Sequence, residues 1–297
     1  MILKKQLLLL ALLEKWGGEL SNTDMQKYLF LLTMHQDKNK RSYHFIPYKY
    51  GCFSFNAYSD KRNLIEKGLL KDSDDWKLSE NQGGFYFMLA SEDRCVLEKI
   101  KKNFGHIHGN ELIRYIYLNY SYYAVKSEIL AQVLSKPEVS RVKKYIPQNN
   151  IKALYTIGYE EISIEEYINC LINEDVKILF DVRKNPISRK YGFSKKTLQN
   201  ALETVGIGYR HLPRLGIPGD MRMDLHDIED YNRLFDIYEK EILSTCHDLL
   251  EMIYRSLLEN ERVGLTCFER LPRYCHRTRA AREIARLFQK DLSIIEL

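Results

Sequence analysis

Near the C-terminus, Leu265-Thr266-Cys267-Phe268-Glu269-Arg270-Leu271-Pro272-Arg273-Tyr274-Cys275-His276-Arg277 concentrates two thiols, a carboxylate, an imidazole and three guanidinium groups. Thiols and imidazoles serve nucleophilic or proton-transfer chemistry, carboxylates act as acids or bases, and arginine forks fit phosphate oxygens. The apolar run 263–268 ahead of this loop reads as a buried strand, and a helix is expected straight after it. In α/β sheets, ligands bind outside the carboxyl ends of strands and at helix N-termini.

Three more apolar runs end the same way. Strands are expected over 153–157, 177–182 and 209–212, with helices near 163–174, 194–205 and 230–259 (the last interrupted) and a terminal helix after 275. Such alternation implies an α/β domain with a mainly parallel sheet flanked by helices and joined by right-handed crossovers. The strand ends release Tyr159, then Asp181, Arg183, Ser188 and Arg189, then His211, and lastly Cys267, Glu269, Arg270, Cys275, His276 and Arg277. Four loops are expected to converge on one rim.

On that rim, Asp181 and Glu269 suit proton transfer, with His211, Tyr159 and Cys275 as further catalytic candidates. Arg183, Ser188, Arg189, Arg270, His276 and Arg277 suit a phosphate-bearing ligand, helped by the helix start at Cys275-His276. The plainer alternatives are ion pairs, Asp181 with Arg189 or Glu269 with Arg277, that only pin loops, and a buried inert Cys267. The ligand types of Cys267, Cys275, His276 and His211 would suit zinc, but an eight-residue separation of the thiols is not a usual ligand spacing, so no metal is expected. Without a glycine-rich dinucleotide fingerprint or a P-loop, no cofactor is expected either.

The residues that must position this rim fill half the chain. Of 297 residues, 45% are hydrophobic and 29% charged, enough for two ordinary domains, with the boundary expected at Pro147-Gln148-Asn149-Asn150 and domains over 1–148 and 149–297. Residues 1–150 hold 23 Lys and Arg against 16 Asp and Glu, and residues 151–297 hold 22 against 24, so the net charge of +5 comes from the first half. The apolar run within 2–13 is too short to span a bilayer and continues into Glu14-Lys15-Trp16, which favours a core helix over a targeting segment. Six cysteines without paired spacing argue for reduced thiols and a cytoplasmic protein.

In the first half, apolar residues at helical spacing over 3–16 and 23–34 flank Gly17-Gly18-Glu19-Leu20-Ser21-Asn22. A third helix is expected over 55–70, a β-hairpin or wing from Trp76-Lys77-Leu78 and Phe85-Tyr86-Phe87-Met88-Leu89, and more helix over 106–145. This order is that of a winged-helix module. Tyr43, Tyr48, Tyr50, Tyr115, Tyr117, Tyr120, Tyr122 and Tyr123 would either stack on bases or, as aromatic stretches at regular spacing commonly do, fill the core. Lys99, Lys101, Lys102, Arg141, Lys143 and Lys144 would either meet phosphates or line a solvated face.

Pro47-Tyr48-Lys49-Tyr50-Gly51-Cys52-Phe53-Ser54 and Leu64-Ile65-Glu66-Lys67-Gly68-Leu69-Leu70 resemble winged-helix domains of antitoxin-like and phage-defence proteins, which implies a nucleic-acid partner, DNA over RNA. In the second half, Thr156-Ile157-Gly158-Tyr159-Glu160, Asp181-Val182-Arg183 with Pro186 and Ser188-Arg189, Phe193-Ser194-Lys195, Tyr209 with His211-Leu212-Pro213 and Leu215-Gly216, Cys267-Phe268-Glu269-Arg270 and Cys275-His276-Arg277 resemble the family of domain of unknown function 488 over about 152–290. Many members have Gly where this chain has Glu161, and Asp-Pro where it has Leu271-Pro272. The resemblance implies a fold and a site, with no settled reaction.

The resulting expectation is a basic winged-helix-like module that targets nucleic acid, joined to an α/β domain that acts on a nucleotide-like or nucleic-acid ligand, with no membrane partner. A hydrolase or base-processing activity in defence or DNA processing would fit. The alternatives are a ligand-sensing DNA-binding regulator and a cysteine-dependent transferase working through Cys275 or Cys267.

Overall fold

In the computed structural model, which describes residues 1–222 and 225–297, helix Lys4–Lys15 stops where Gly17 and Gly18 take φ of 92° and 86°. Ser21 then caps helix Asn22–His35, its hydroxyl accepting from the Asp24 amide at 3.1 Å. Helices Phe55–Glu66, Ser91–Phe104 and Gly109–Asn119 complete the main frame of a mainly helical unit, Met1–Ile146. Leu8 to Leu13 are all buried, together with Tyr28, Phe30, Trp76 and Tyr117. Of the tyrosines considered for base stacking, Tyr43 and Tyr117 are core, and Tyr120 and Tyr123 pack edge-on against Phe30.

The expected hairpin between 76–78 and 85–89 does not form. Trp76–Lys77 pairs antiparallel with Glu19–Leu20, and Phe85–Met88 is a helical turn. The reason lies in the first helix: the Glu14 carboxylate accepts from the amides of Gly84 and Tyr86, capping the turn and using donors that a strand would need. A short hairpin instead joins Ile46–Tyr48 to Gly51–Phe53.

The second unit, Pro147–Leu297, alternates strands and helices. Its elements are β1 (Ala153–Gly158), α1 (Ile164–Asn173), β2 (Ile178–Asp181), α2 (Lys195–Thr204), β3 (Gly208–His211), α3 (Ile228–Ile237), α4 (His247–Asn260), β4 (Arg262–Cys267), α5 (His276–Phe288) and β5 (Ile294–Glu296). A π-turn (Tyr238–Ile242) and a 3-10 turn (Leu243–Thr245) interrupt the helical stretch between α3 and α4. All five strands are parallel, in the order β3-β2-β4-β1-β5, and β1 and β4 are buried throughout, as a sheet covered on both faces requires. β5 was not foreseen.

Register sets the rim. Gly158 stands opposite Cys267, and Asp181 lies between Thr266 and His211, so four strands end on one edge. Two glycines allow the loops there to close up. A Cβ on Gly158 would lie 2.0 Å from the Glu269 carbonyl oxygen, and one on Gly216 would lie 2.1 Å from the Lys184 nitrogen. Glu161 occupies a left-handed conformation at φ 63°, which suits the glycine of its resembling family better than a side chain.

Among the described residues, no helix is long and apolar enough to cross a membrane. All six cysteines are free thiols.

Candidate active site

Asp181 and Arg183 lie two residues apart at the end of β2, so their side chains fall on the same side of the chain. Arg183 Nε donates to Asp181 Oδ1 at 2.8 Å, and its Nη2 donates to Oδ2 at 2.5 Å. Tyr209 donates its hydroxyl to Oδ2 at 2.6 Å, and Arg183 Nη1 donates to the Tyr159 hydroxyl at 2.7 Å and to the Phe193 carbonyl at 2.8 Å. Asp181 is fully buried. Burial, reinforced by the Asp181 charge, pushes the Tyr209 hydroxyl well above its ordinary range. This is a closed polar network that fixes the 181–193 loop, so three expected site residues change role: Asp181 is no open base, Arg183 has its donors committed, and Tyr159 is buried and stacked on Phe193 at 4.2 Å. His211 is likewise engaged, its Nε2 donating to the Arg183 carbonyl at 2.8 Å.

Arg277 is also used internally. Fully buried at the start of α5, it donates to the carbonyls of Glu269 and Arg270 and so holds the 268–275 loop against the helix. That excludes it from an open phosphate site. Arg270 is exposed; its amide bonds Glu160, and its guanidinium lies 3.5 Å from Glu161. Ser188 accepts from the Lys190 amide at 3.1 Å, which shapes the loop.

The reactive groups meet elsewhere. Cys267 Sγ lies 3.2 Å from Glu269 Oε2 and 3.6 Å from His276 Nδ1. The Cys275 thiol lies close to the same sulfur, and the ligand atoms of Cys267, Glu269, Cys275 and His276 all lie within 4.8 Å of one another. The eight-residue spacing that argued against such a cluster misleads, because the strand, loop and helix start fold back and bring Cys275 beside Cys267. His276 Nε2 is 3.0 Å from the Val182 carbonyl, which can only accept, so Nε2 carries the proton and Nδ1 faces the thiols.

Arg222, from the Asp220–Arg222 turn, completes the cluster. Its Nη1 donates to Glu269 Oε1 at 2.7 Å, and its Nη2 lies 3.0 Å from His276 Nδ1. No strand end or motif in the sequence marked this residue, and only its position in space reveals it. Burial opposes ionisation of Cys267, but the Cys275 thiol, His276 and Arg222 outweigh it and hold Cys267 well below the usual thiol range. Burial and the Cys267 charge push both Cys275 and Glu269 upward. For His276, burial acts against protonation, and the neighbouring Cys267 charge more than offsets it.

A cleft of about 360 Å³ reaches this cluster, with Cys267 and Arg222 in its lining. Lys184, Asn185, Ser188 and Arg189 line it as well, and Lys184 and Arg189 are exposed and form no ion pair among the described residues. A larger cavity beside Arg273, Arg279 and Arg282 holds none of the thiols. The smaller cleft, where cationic walls adjoin reactive side chains, is the candidate site.

No curated protein and no solved structure matches this chain. Residues 163–284, from the cap of α1 into α5, match the family model described as domain of unknown function DUF488.

Proposed function

We propose that the C-terminal unit is a hydrolase-type enzyme acting on a phosphate-bearing nucleotide or nucleic-acid strand. The observation that carries this reading is the cleft itself: exposed Lys184 and Arg189 stand in its walls without an ion-pair partner among the described residues, and Arg222 and Cys267 stand in the same lining. Exposed guanidinium and ammonium groups are suited to phosphate oxygens. The groups available for the chemistry are Glu269, Cys267 and His276, since Asp181 is sealed by Arg183 and Tyr209. Transfer through a Cys267 or Cys275 nucleophile is less well supported, because both thiols are almost wholly buried, at 2% and 1% exposure.

The first unit, in this proposal, is the winged-helix-like module that brings the chain to DNA. Support comes from the positive charge of residues 1–150 and from the motifs around Pro47 and Gly68.

Fluorescence anisotropy with mononucleotides, single-stranded DNA and duplex DNA over a salt series tests both halves. Affinity should fall with salt at a slope of roughly −0.7 to −0.9 per phosphate contact, and Lys184→Ala with Arg189→Ala should weaken nucleotide binding at least tenfold. A flat salt response for every probe, with no product detectable by mass spectrometry, would reject the proposal.

A further inference from the structure

We infer that Cys267, Cys275, His276 and Glu269 form a binding site for one zinc-class divalent ion. Two thiols, an imidazole nitrogen and a carboxylate oxygen are a donor set that favours zinc over magnesium or calcium, which take oxygen ligands.

The distances fit. In tetrahedral coordination, zinc–sulfur and zinc–nitrogen bonds of about 2.3 and 2.05 Å put the two donors about 3.5 Å apart. Cys267 Sγ and His276 Nδ1 are 3.6 Å apart, and all four donors fall inside 4.8 Å. The surroundings fit too. The Val182 carbonyl accepts from His276 Nε2 at 3.0 Å, which turns the lone pair of Nδ1 toward the sulfurs, as the outer partner of a metal-bound histidine does.

Charge gives an independent argument. Two thiolates, a carboxylate and a neutral imidazole around a divalent ion carry a net charge of minus one, and Arg222 on Glu269 Oε1 brings it to zero. The ion requires Arg222 Nη2 to leave His276 Nδ1 while Nη1 keeps Glu269; Arg222 is partly exposed on a three-residue turn, so this needs only a side-chain shift.

The site belongs to the cleft described above, and this inference rests on that reading only for its consequence. With all four protein donors bound the ion would have no open position, so its part would be to fix the Cys267 loop beside the phosphate-bearing ligand.

The full chain, purified without chelators, is assayed for metal content and titrated with cobalt(II). We expect one zinc per chain, intense visible bands of tetrahedral cobalt and an ultraviolet thiolate-to-cobalt transition. Zinc should slow alkylation of Cys267 and Cys275 at least tenfold while leaving exposed Cys95 unchanged. Cys275→Ser should lose the ion, whereas Lys184→Ala with Arg189→Ala should keep it. If the folded wild-type chain retains no zinc, or gives only weak octahedral cobalt bands without the thiolate transition, the inference fails. That failure is separable from failure of the nucleotide reading, because retained zinc without nucleotide affinity overturns only the latter.

Discussion

Arg222 Nη1 and Glu269 Oε1 are 2.7 Å apart, in a pair that joins the 220–222 turn to the loop after β4 and holds a guanidinium over the thiol cluster. Arg222→Ala should lower nucleotide affinity or turnover at least tenfold while shifting the unfolding midpoint little, since the arginine is partly exposed. Arg222→Lys should not restore activity, because a single ammonium cannot reach Glu269 and His276 as a fork does. Equal activity in both variants and the wild type would remove Arg222 from the site.

Asp181 is a structural rather than an exposed group. Asp181→Asn leaves the buried Arg183 guanidinium without its counter-charge, and breaking such a pair costs about 3–5 kcal/mol. Urea denaturation should show this loss directly. A variant that folds with wild-type stability yet loses turnover would return Asp181 to a catalytic role.

At Glu161, the left-handed backbone makes the opposite forecast. Glu161→Gly relieves a conformation that costs a non-glycine residue roughly 1 kcal/mol, and gives up only an exposed contact to Arg270 that contributes little. The expected gain is at most about 0.5 kcal/mol by chemical denaturation, net of glycine's greater unfolded-state entropy. A loss of stability would show that Arg270 is the more important partner.

Lys27 supplies the pH prediction. Its ammonium, buried in the first unit, bonds the Cys52 carbonyl at 3.1 Å, and burial pulls its pKa below the ordinary value of 10.5. Between the lowered folded value and 10.5 the unfolded chain binds more protons, so this group's contribution to stability rises with pH through that window and is least favourable below it. Lys27→Met should be neutral or stabilising at neutral pH, by up to about 2 kcal/mol, and should flatten the alkaline rise. Marked destabilisation would mean that the Cys52 bond outweighs the burial cost.

The parallel sheet was legible because its central strands are buried on both faces and so read as unbroken apolar runs at 153–157 and 263–268. β5 was missed: Ile294–Glu296 is too short to stand out from a chain end. The thiol loop was legible as chemistry, but its geometry was not, since sequence spacing says nothing of how a strand, loop and helix start bring Cys275 back onto Cys267. Asp181 and Arg183 carried a usable signal, the i to i+2 spacing that puts both on one side of a strand end. Arg222 carried none. In the first unit, the apolar pattern of 85–89 suggested a strand, and the Glu14 carboxylate, far away in sequence, decided for a helical turn.

His276 Nε2 and the Val182 carbonyl tie the start of α5 to the first residue beyond β2. Val182 directly precedes Arg183 and Lys184, both of which line the cleft. The imidazole is thus a strut between the loop that would grip a ligand and the cluster that would act on it. A ligand that drew Val182 along with the 184–189 loop would strain that bond, so the orientation of the ring toward the thiols depends on where the root of this loop is held.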